Sequence, residues 1–332
     1  MVIAAIDIGY RNTKMMFTDE TGTQHQLVFP SLALPATFDG QTELVRRETR
    51  RVEAAGATYE VGPDIELLQD LHTALVLHQD YLDTPQYTAL FHGALSYMGQ
   101  SQIDLLAVGL PVEYMATRRE DLIRKTTGPH FVPGLGKVEV RRTIVVPQPF
   151  GALVDHLSRP AQDAPLVPDA NVLVVDPGFF TFDWLVARGL KFLPQRSGSF
   201  PSGISHALRG IADAIAADIG QRIEDMTLLD RCLRSGTLRI HGETMDMEAY
   251  LPAARQRVEH ALRALKNKVG TGTDIEAICI AGGGASLFAP MLEDLFPYHD
   301  VQVLPDPVLA NVRGFLLAAQ DYAATHPMKQ TA

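Results

Sequence analysis

The sequence is poor in cysteine and in basic residues, and it has no long apolar run. Two cysteines, Cys232 and Cys279, cannot build a disulfide framework or a four-cysteine zinc site, and they indicate a reducing, cytoplasmic location. Lys and Arg number 29 against 39 Asp and Glu, a formal net charge of -10, which excludes a broad basic surface for DNA or an anionic membrane. No apolar run approaches the roughly 20 residues of a membrane helix. We therefore expect neither broad direct DNA binding nor a membrane span.

The first residues do not have the features of a signal peptide. In the opening stretch MVIAAIDIGYRNTK, Asp7 interrupts the apolar run, and no basic region precedes that run. The 332 residues are 46% hydrophobic, which provides enough apolar material for two cores. Length and composition thus predict two domains or one large domain.

Strand-like and helix-like segments alternate along the chain, which predicts an α/β architecture with mixed sheets. The predicted strands are 2–8, 14–18, 26–29, 51–55, 58–61, 104–109, 138–146, 171–176, 182–186 and 275–280. The predicted helices are 86–98, 118–126, 150–156, 203–219, 247–269 and 309–325. Residues 157–170 contain three prolines without periodicity and are the best linker candidate.

A candidate phosphate-binding turn follows the first strand. Asp7 lies near the end of that strand, Gly9 opens the turn, and Lys14 begins the next strand. Backbone N–H groups in such a turn can bind phosphate oxygens, and Lys14 can reach the outer phosphates. Asp7 can hold the hydration shell of a magnesium ion. Alone, the segment is equally an ordinary β-hairpin with a surface lysine.

The same arrangement recurs in the second half of the chain. Asp176 ends another apolar strand two residues before Gly178, and Thr181 precedes the returning strand. We expect Asp176 to act on the same metal as Asp7, and Gly178 and Thr181 to contact phosphate. One copy is weak evidence for function, but a structural accident would have to occur twice at corresponding places.

A third candidate is a glycine triplet after the predicted strand 275–280. Gly282, Gly283 and Gly284 allow close approach of a ligand to the backbone, and a following helix N-terminus favours negative charge. The segment is not a P-loop, because no Lys-Ser or Lys-Thr follows it. A tight strand-to-helix turn without a ligand explains it equally well.

Together these segments resemble the nucleotide-binding loops of the actin, Hsp70 and sugar-kinase superfamily. The order of landmarks is most similar to the ParM/StbA bacterial actins that segregate plasmids, including the PRTRC protein D group. Three further stretches carry this narrower similarity, at 51–64, 103–115 and 138–153. The resemblance implies a two-domain actin-like fold, in which duplicated ribonuclease H-like domains with mixed sheets face a nucleotide cleft.

The resemblance also implies a domain division and a ligand set. Domain I is 1–156, with the helix 309–325 packed back on it, and domain II is 157–308. The ligands are ATP, with GTP as the alternative, and Mg2+ held through water by Asp7 and Asp176. The implied nucleotide-binding residues are Gly9, Tyr10, Asn12, Lys14, Gly178, Thr181, Gly282, Gly283 and Gly284.

Gln148 takes its role from the resemblance alone. In the family, a Gln or Glu between the domains orients the attacking water, and Gln148 stands at that position. A neutral amide positions water but is a poor general base, so slow hydrolysis is expected. Without the resemblance, Gln148 is a turn residue between Pro147 and Pro149.

Several residues depart from the family pattern. Phe179 and Phe180 follow Gly178, where small residues are usual, and bulky residues adopt a positive φ only at a cost. We therefore expect their rings to cover the phosphates in part. Pro177 removes one N–H group, and Tyr10-Arg11 replace small hydroxyl residues common in actins.

The implied function is ATP-driven polymerisation into filaments that move plasmid DNA through a separate DNA-binding adaptor. One alternative is a small-molecule kinase of the same superfamily, although 332 residues leave little room for an inserted substrate domain. The other is a non-hydrolysing actin-like scaffold protein.

Two weaker patterns favour structural explanations. A basic cluster at Arg46, Arg47, Arg50 and Arg51 is more typical of a charged strand edge than of a binding surface. The segment His241 to Asp246 fits no common zinc spacing.

Overall fold

Two mixed β-sheets organise the chain, and each belongs to one of the two units into which the chain divides. The computed structural model describes residues 1–36, 47–68, 80–160, 170–240 and 242–326. One unit comprises Met1–Pro165 and Leu304–Ala332, and the other comprises Leu166–Val303. Arg46, His241 and most of the predicted linker 157–170 lie outside the described residues.

The described part of the chain forms strands and α-helices with the following bounds. The strands are β1 (Ile3–Ile8), β2 (Asn12–Thr18), β3 (Gln24–Pro30), β4 (Leu34–Pro35), β5 (Arg50–Ala54), β6 (Ala57–Val61), β7 (Gln102–Ile103), β8 (Leu105–Leu110), β9 (Gly128–Val132), β10 (Gly136–Val140), β11 (Thr143–Pro147), β12 (Asn171–Pro177), β13 (Phe182–Arg188), β14 (Lys191–Phe192), β15 (Gly198–Phe200), β16 (Thr237–Ile240), β17 (Glu243–Asp246), β18 (Ile275–Ile280) and β19 (Val301–Val303). The helices are α1 (Pro85–Met98), α2 (Met115–Thr126), α3 (Gln148–Leu157), α4 (Ile204–Ile219), α5 (Met226–Ser235), α6 (Leu251–Val269), α7 (Ala285–Leu295) and α8 (Ala310–Thr325).

The main sheets of the two units have the same strand order. The sheet of the first unit runs β11-β8-β1-β2-β3, and that of the second runs β19-β18-β12-β13-β14, with β15 also paired to β13. In each sheet the first strand of the unit pairs antiparallel with the second and parallel with a later strand. This repetition confirms the predicted α/β fold with mixed sheets.

The central strand β1 is buried throughout, and apolar up to Asp7, because helices cover both of its faces. Ala4 and Ile6 pack in one core with residues of α1, and Ile3 and Ala5 pack in another core with residues of α8 such as Phe315. Successive side chains of a strand point to opposite faces, so only a strand covered on both sides is apolar at every position. The unbroken apolar run that opens the sequence is therefore required by this position.

Helices α3 and α8 pack with their backbones in close contact. An added Cβ at Gly314 would lie 1.7 Å from the carbonyl oxygen of Gly151, and one at Gly151 would lie 2.3 Å from that of Asn311. Glycine at both positions allows an approach that no side chain permits. The two helices therefore form a tightly joined pair.

The predicted single strand 138–146 is wrong. Residues Gly136–Val140 form β10, which pairs with β7 and β9, whereas Thr143–Pro147 form β11 in the main sheet beside β8. Arg141 and Arg142 connect the two strands. Both strands are half-buried, so apolar and polar residues alternate in each of them. The alternation therefore continues across the break, although the two strands belong to different sheets.

Other differences concern the bounds and the number of elements. Helix α3 begins at Gln148, two residues before the predicted start, and helix α5 and the hairpin β16–β17 were not predicted. Among the described residues, no helix combines the length and the apolar composition needed to cross a bilayer.

Candidate functional site

The first turn joins β1 to β2 through a short hydrogen-bonded frame. Asp7 pairs in register with Lys14, and Ile8 pairs with Thr13. The Gly9 N–H donates to the carbonyl oxygen of Asn12 at 3.1 Å, and an added Cβ at Gly9 would lie 3.2 Å from that same oxygen. Gly9 therefore lets the turn close on itself.

Asp7 is the centre of the polar contacts at this turn. Its side chain is 1% exposed, and each carboxylate oxygen has a donor: Lys14 Nζ lies 2.7 Å from Oδ2, and Gln148 Nε2 lies 2.9 Å from Oδ1. Lys14 is itself only 13% exposed, so it is not a surface lysine. The structure thus brings three of the predicted site residues together from β1, β2 and α3.

Gln148 is a helix residue, and its interpretation as a turn residue is wrong. It is the first residue of α3, with Pro147 at the N-cap and Pro149 in the first turn. Proline fits there because the first N–H groups of a helix have no intrahelical acceptor. The helix start fixes the Gln148 side chain beside Asp7.

Tyr10 and Arg11 tie the first turn to segments far away in the sequence. The ring of Tyr10 stacks on Tyr81 at 4.7 Å, and Arg11 Nη1 donates to Glu66 Oε1 at 2.7 Å. Burial raises the pKa of Tyr87, which meets Tyr81 edge to face, with smaller contributions from the charges of Tyr81 and Asp7. Sequence reasoning missed Tyr81 and Glu66, because no local pattern links them to the turn.

The second turn, between β12 and β13, repeats the frame of the first. Asp176 pairs in register with Asp183, and Pro177 pairs with Phe182. The Gly178 N–H donates to the carbonyl oxygen of Thr181 at 2.9 Å, and an added Cβ would again lie 3.2 Å from that oxygen. Gly178 and Thr181 therefore take the places of Gly9 and Asn12.

The start of helix α4 binds the carbonyl groups of this second turn. The N–H groups of Gly203, Ile204 and Ser205 donate to Phe180, Gly178 and Phe179 respectively, each at 2.9 Å. These are the N–H groups that a helix start leaves without intrahelical acceptors. The turn is therefore held by the helix.

The two phenylalanines do not strain the second turn. Within the described chain, positive φ at a non-glycine residue occurs only at Ala55 and Asp306, so neither Phe179 nor Phe180 adopts it. Phe179 is buried and 7% exposed, while Phe180 is half-buried. The expectation that the rings cover a ligand in part stays a prediction, and Phe180 is the more accessible of the two rings.

The glycine triplet lies directly beside Asp176. Strand β18 runs parallel to β12, so the triplet follows it at the same sheet edge as the second turn. Gly282 has φ of +77°, an added Cβ there would lie 2.1 Å from Asp176 Oδ1, and the Gly284 N–H donates to the Pro177 carbonyl at 3.0 Å. Gly282 and Gly284 are therefore the members of the triplet that allow this close contact with the second turn.

Arg234 is a further residue at the triplet that sequence reasoning missed. Its Nη2 donates to the Gly283 carbonyl at 3.0 Å, and it pairs with Asp230 one turn earlier on α5. The only local signal is an Asp-to-Arg spacing of four residues, which is common on exposed helices.

We expect Gly282→Ala to destabilise the second unit far more than Gly236→Ala. Both glycines have φ of +77°, but an added Cβ at Gly236 meets nothing within 4 Å. We expect the free energy of unfolding of Gly282→Ala to be about 2 kcal/mol lower than that of Gly236→Ala, and this difference is the cost of the clash with Asp176. Urea denaturation followed by the fluorescence of Trp184, the single tryptophan and a buried residue of this unit, checks it. Equal losses would show that Asp176 moves away freely.

The described residues contain no group of three or more His, Cys, Asp or Glu side chains arranged to hold a metal ion. The carboxylates at the turns are Asp7 in the first unit, and Asp176 with its register partner Asp183 in the second. The groups at the first turn are an ammonium group and an amide, each within hydrogen-bond distance of one carboxylate. Such a set fits a phosphate group together with a hydrated cation.

Two α/β units with one strand order, each with an Asp-x-Gly turn, define the actin-like fold class. The profile described as Actin like proteins N terminal domain matches residues 5–151, and that described as Archaeal actin homologue MreB-like, C-terminal matches residues 174–294. The chain therefore belongs to the actin-like proteins.

Solved structures share this fold across almost the whole chain. The archaeal actin homologue Ta0583 is 18% identical, with a TM-score of 0.77, and 97% of this chain covers 100% of it. The same homologue in complex with ADP is similar at a TM-score of 0.72 and 17% identity, with coverage of 97% and 100%. ParM from a 15-stranded filament of Clostridium botulinum is similar at 0.74 and 17% identity, with coverage of 96% and 99%. No curated protein sequence matches the chain significantly.

Proposed function

We propose that this protein is a ParM-type actin homologue that binds ATP with Mg2+, hydrolyses the ATP and assembles into filaments. The observation that carries the proposal is the buried Asp7, with Lys14 on one carboxylate oxygen and Gln148 on the other. A carboxylate buried with a lysine and an amide, in a turn repeated in the other unit, is more than a β-hairpin needs. In this proposal the two units are the predicted domains I and II.

The three side chains that meet at the first turn have distinct roles in the proposal. Lys14 neutralises charge on the β- and γ-phosphates, and Asp7 binds water molecules of the metal shell. Mg2+ in nucleotide sites is typically held by one or two carboxylates and the phosphates, with several waters retained. When bound, it would neutralise phosphate charge. Gln148, already fixed beside Asp7, orients the attacking water.

The second unit contributes a second turn and the glycine triplet. We propose that Asp176 binds water of the same metal shell, and that Gly178 and Thr181 contact phosphate. Gly282, Gly283 and Gly284 bring the backbone to the adenosine, and Arg234 fixes the Gly283 carbonyl. The ADP complex of the archaeal homologue supports a nucleotide ligand for this chain.

Filament formation and plasmid segregation are further parts of the proposal. The ParM filament structure supports self-association by this chain. The net charge of -10 argues against broad contact with DNA, so a separate DNA-binding adaptor would connect the filament to a plasmid in the cytoplasm.

We expect Lys14→Ala to weaken ATP binding about 10- to 100-fold, which is the effect of losing a hydrogen bond between charged groups. Lys125→Ala is the matched control, because Lys125 also pairs with a carboxylate, Asp83, but far from the turn in the sequence. Titration with a fluorescent ATP analogue gives the affinities, and thermal unfolding confirms that both variants are folded. Equal affinities would remove Lys14 from the phosphate site.

The whole proposal is tested by sedimentation and electron microscopy of the purified protein with ATP, GTP, ADP or no nucleotide, each with Mg2+ or EDTA. We expect filaments that require a nucleoside triphosphate and Mg2+, together with slow phosphate release. If a sugar stimulates ATP turnover and no protein sediments, the alternative function of a small-molecule kinase is supported. If filaments form without any phosphate release, the alternative of a non-hydrolysing scaffold protein is supported.

A further inference from the structure

Two stretches of chain connect the units, and both begin or end beside the helix pair α3–α8. The first leaves the first unit after α3 ends at Leu157, and the second returns at Leu304 and runs to α8. Any coupling between the units through the backbone must pass along these two stretches. Side-chain contacts that hold these two stretches can therefore influence the proposed hydrolysis of ATP.

One buried carboxylate on α3 binds Arg159 of the first connecting stretch and Arg313 of α8, which in turn holds the second stretch. Asp155 is 4% exposed and accepts a bidentate pair from Arg313, with Nε at 2.9 Å and Nη2 at 3.0 Å. Arg159, just beyond the end of α3, donates to Asp155 Oδ2 at 2.8 Å. The same Arg313 Nη2 donates to the Pro305 carbonyl at 2.6 Å, so the returning stretch is held as well.

Helix α3 links Asp155 to the candidate site. Gln148 begins this helix and donates to Asp7, and Asp155 lies seven residues later. Seven residues are almost two turns, so the two side chains lie on the same face, about 10 Å apart along the helix axis. The Gly151–Gly314 contact joins α3 to α8 between them. A displacement of either connecting stretch therefore acts on one rigid helix that carries Gln148.

We propose that Asp155 is a positioning residue that couples both connecting stretches to Gln148, an inference that rests on the proposed function. A carboxylate is suited to this because its two oxygens bind two guanidinium groups at once. Asparagine has the same shape but no charge, and it offers one acceptor oxygen. Lysine at position 313 keeps the charge but cannot form the bidentate pair.

The test compares Asp155→Asn with Asp104→Asn, a matched loss of a buried carboxylate in the same unit. Asp104 is 8% exposed and accepts from Arg141, Gln102 and the Val2 N–H, away from both connecting stretches. We expect Asp155→Asn to lower the kcat for phosphate release about 10-fold with little change in KM, and Asp104→Asn to leave both unchanged at temperatures below its Tm. Equal kcat values for the two variants would overturn the proposal.

Two further arms keep the inference separable from the proposed function. If the bidentate geometry matters, Arg313→Lys lowers kcat as Asp155→Asn does. If only the charge matters, Arg313→Lys keeps the wild-type kcat, and that result contradicts the proposal. Hydrogen exchange without nucleotide measures residues 146–151 and 304–309, where Asp155→Asn is expected to increase exchange relative to Asp104→Asn. No ATP binding by the wild-type protein would reject the proposed function and the kinetic role with it, while the exchange data still decide whether Asp155 holds the two segments.

Discussion

Replacing Gln148 with alanine is expected to slow phosphate release about 100-fold while leaving ATP affinity within about 3-fold of the wild-type value. The reason is that the amide orients a water molecule and does not bind the nucleotide, and positioned proton-transfer or water-orienting groups contribute about this factor. Asp7 retains Lys14 as a partner in the variant, so the turn itself is preserved. Single-turnover phosphate release and analogue titration measure the two quantities separately.

The matched control is Gln320→Ala, which removes another glutamine of the same unit. Gln320 Nε2 donates to the Thr18 hydroxyl at 3.1 Å, at the far end of β2 from the turn. We expect no change in phosphate release for this variant. If Gln148→Ala also keeps the wild-type rate, another group orients the water. Filaments of Gln148→Ala should also outlast those of the wild-type protein, if hydrolysis is what destabilises them.

Replacing Gly314 with alanine is expected to lower the free energy of unfolding by about 3 kcal/mol or more, a large effect for a single methyl group. The added Cβ would lie 1.7 Å from the Gly151 carbonyl oxygen, and a backbone atom inside a helix cannot rotate away. Alanine gains about 1 kcal/mol in helix propensity, which offsets only part of the loss. Urea denaturation followed by circular dichroism measures the change.

Gly93→Ala on α1 is the control for this prediction. An added Cβ there would meet a side-chain atom, Val61 Cγ2, at 2.5 Å. A side chain can adjust where a backbone carbonyl cannot, so we expect a loss of about 1 kcal/mol. Similar losses at the two positions would mean that α3 and α8 separate easily, which would also weaken the coupling proposed for Asp155.

Local patterns predicted most strands and helices, together with both Asp-x-Gly turns. Strand 275–280 matches β18, and the helix predicted from Gln86 is α1 from Pro85. These elements have a complete local signal, because apolar periodicity and flanking glycine or proline stand next to one another in the chain. The resemblance to actins, which joined the separate turns into one hypothesis, agrees with the family matches and the fold.

The errors share a physical cause: the missing information lies far away in the sequence. The break between β10 and β11 is invisible in the alternation, because it depends on which sheet each strand joins. The contacts of Arg11 with Glu66 and of Arg234 with Gly283 bring together residues about 50 positions apart. The contact of Gln148 with Asp7 joins residues 141 positions apart, and no local pattern indicates it.

The two turns have the same backbone frame but differ in the residue that stands opposite the turn aspartate. Opposite Asp7 in the strand register stands a lysine, and opposite Asp176 stands a second aspartate, Asp183. The register pair thus joins a carboxylate to an ammonium group in one copy and to a second carboxyl group in the other. The two scaffolds are equivalent in backbone, and one register position makes them chemically unequal. Exchanging the two turns together with their register partners would therefore remove the lysine from one unit and place it in the other.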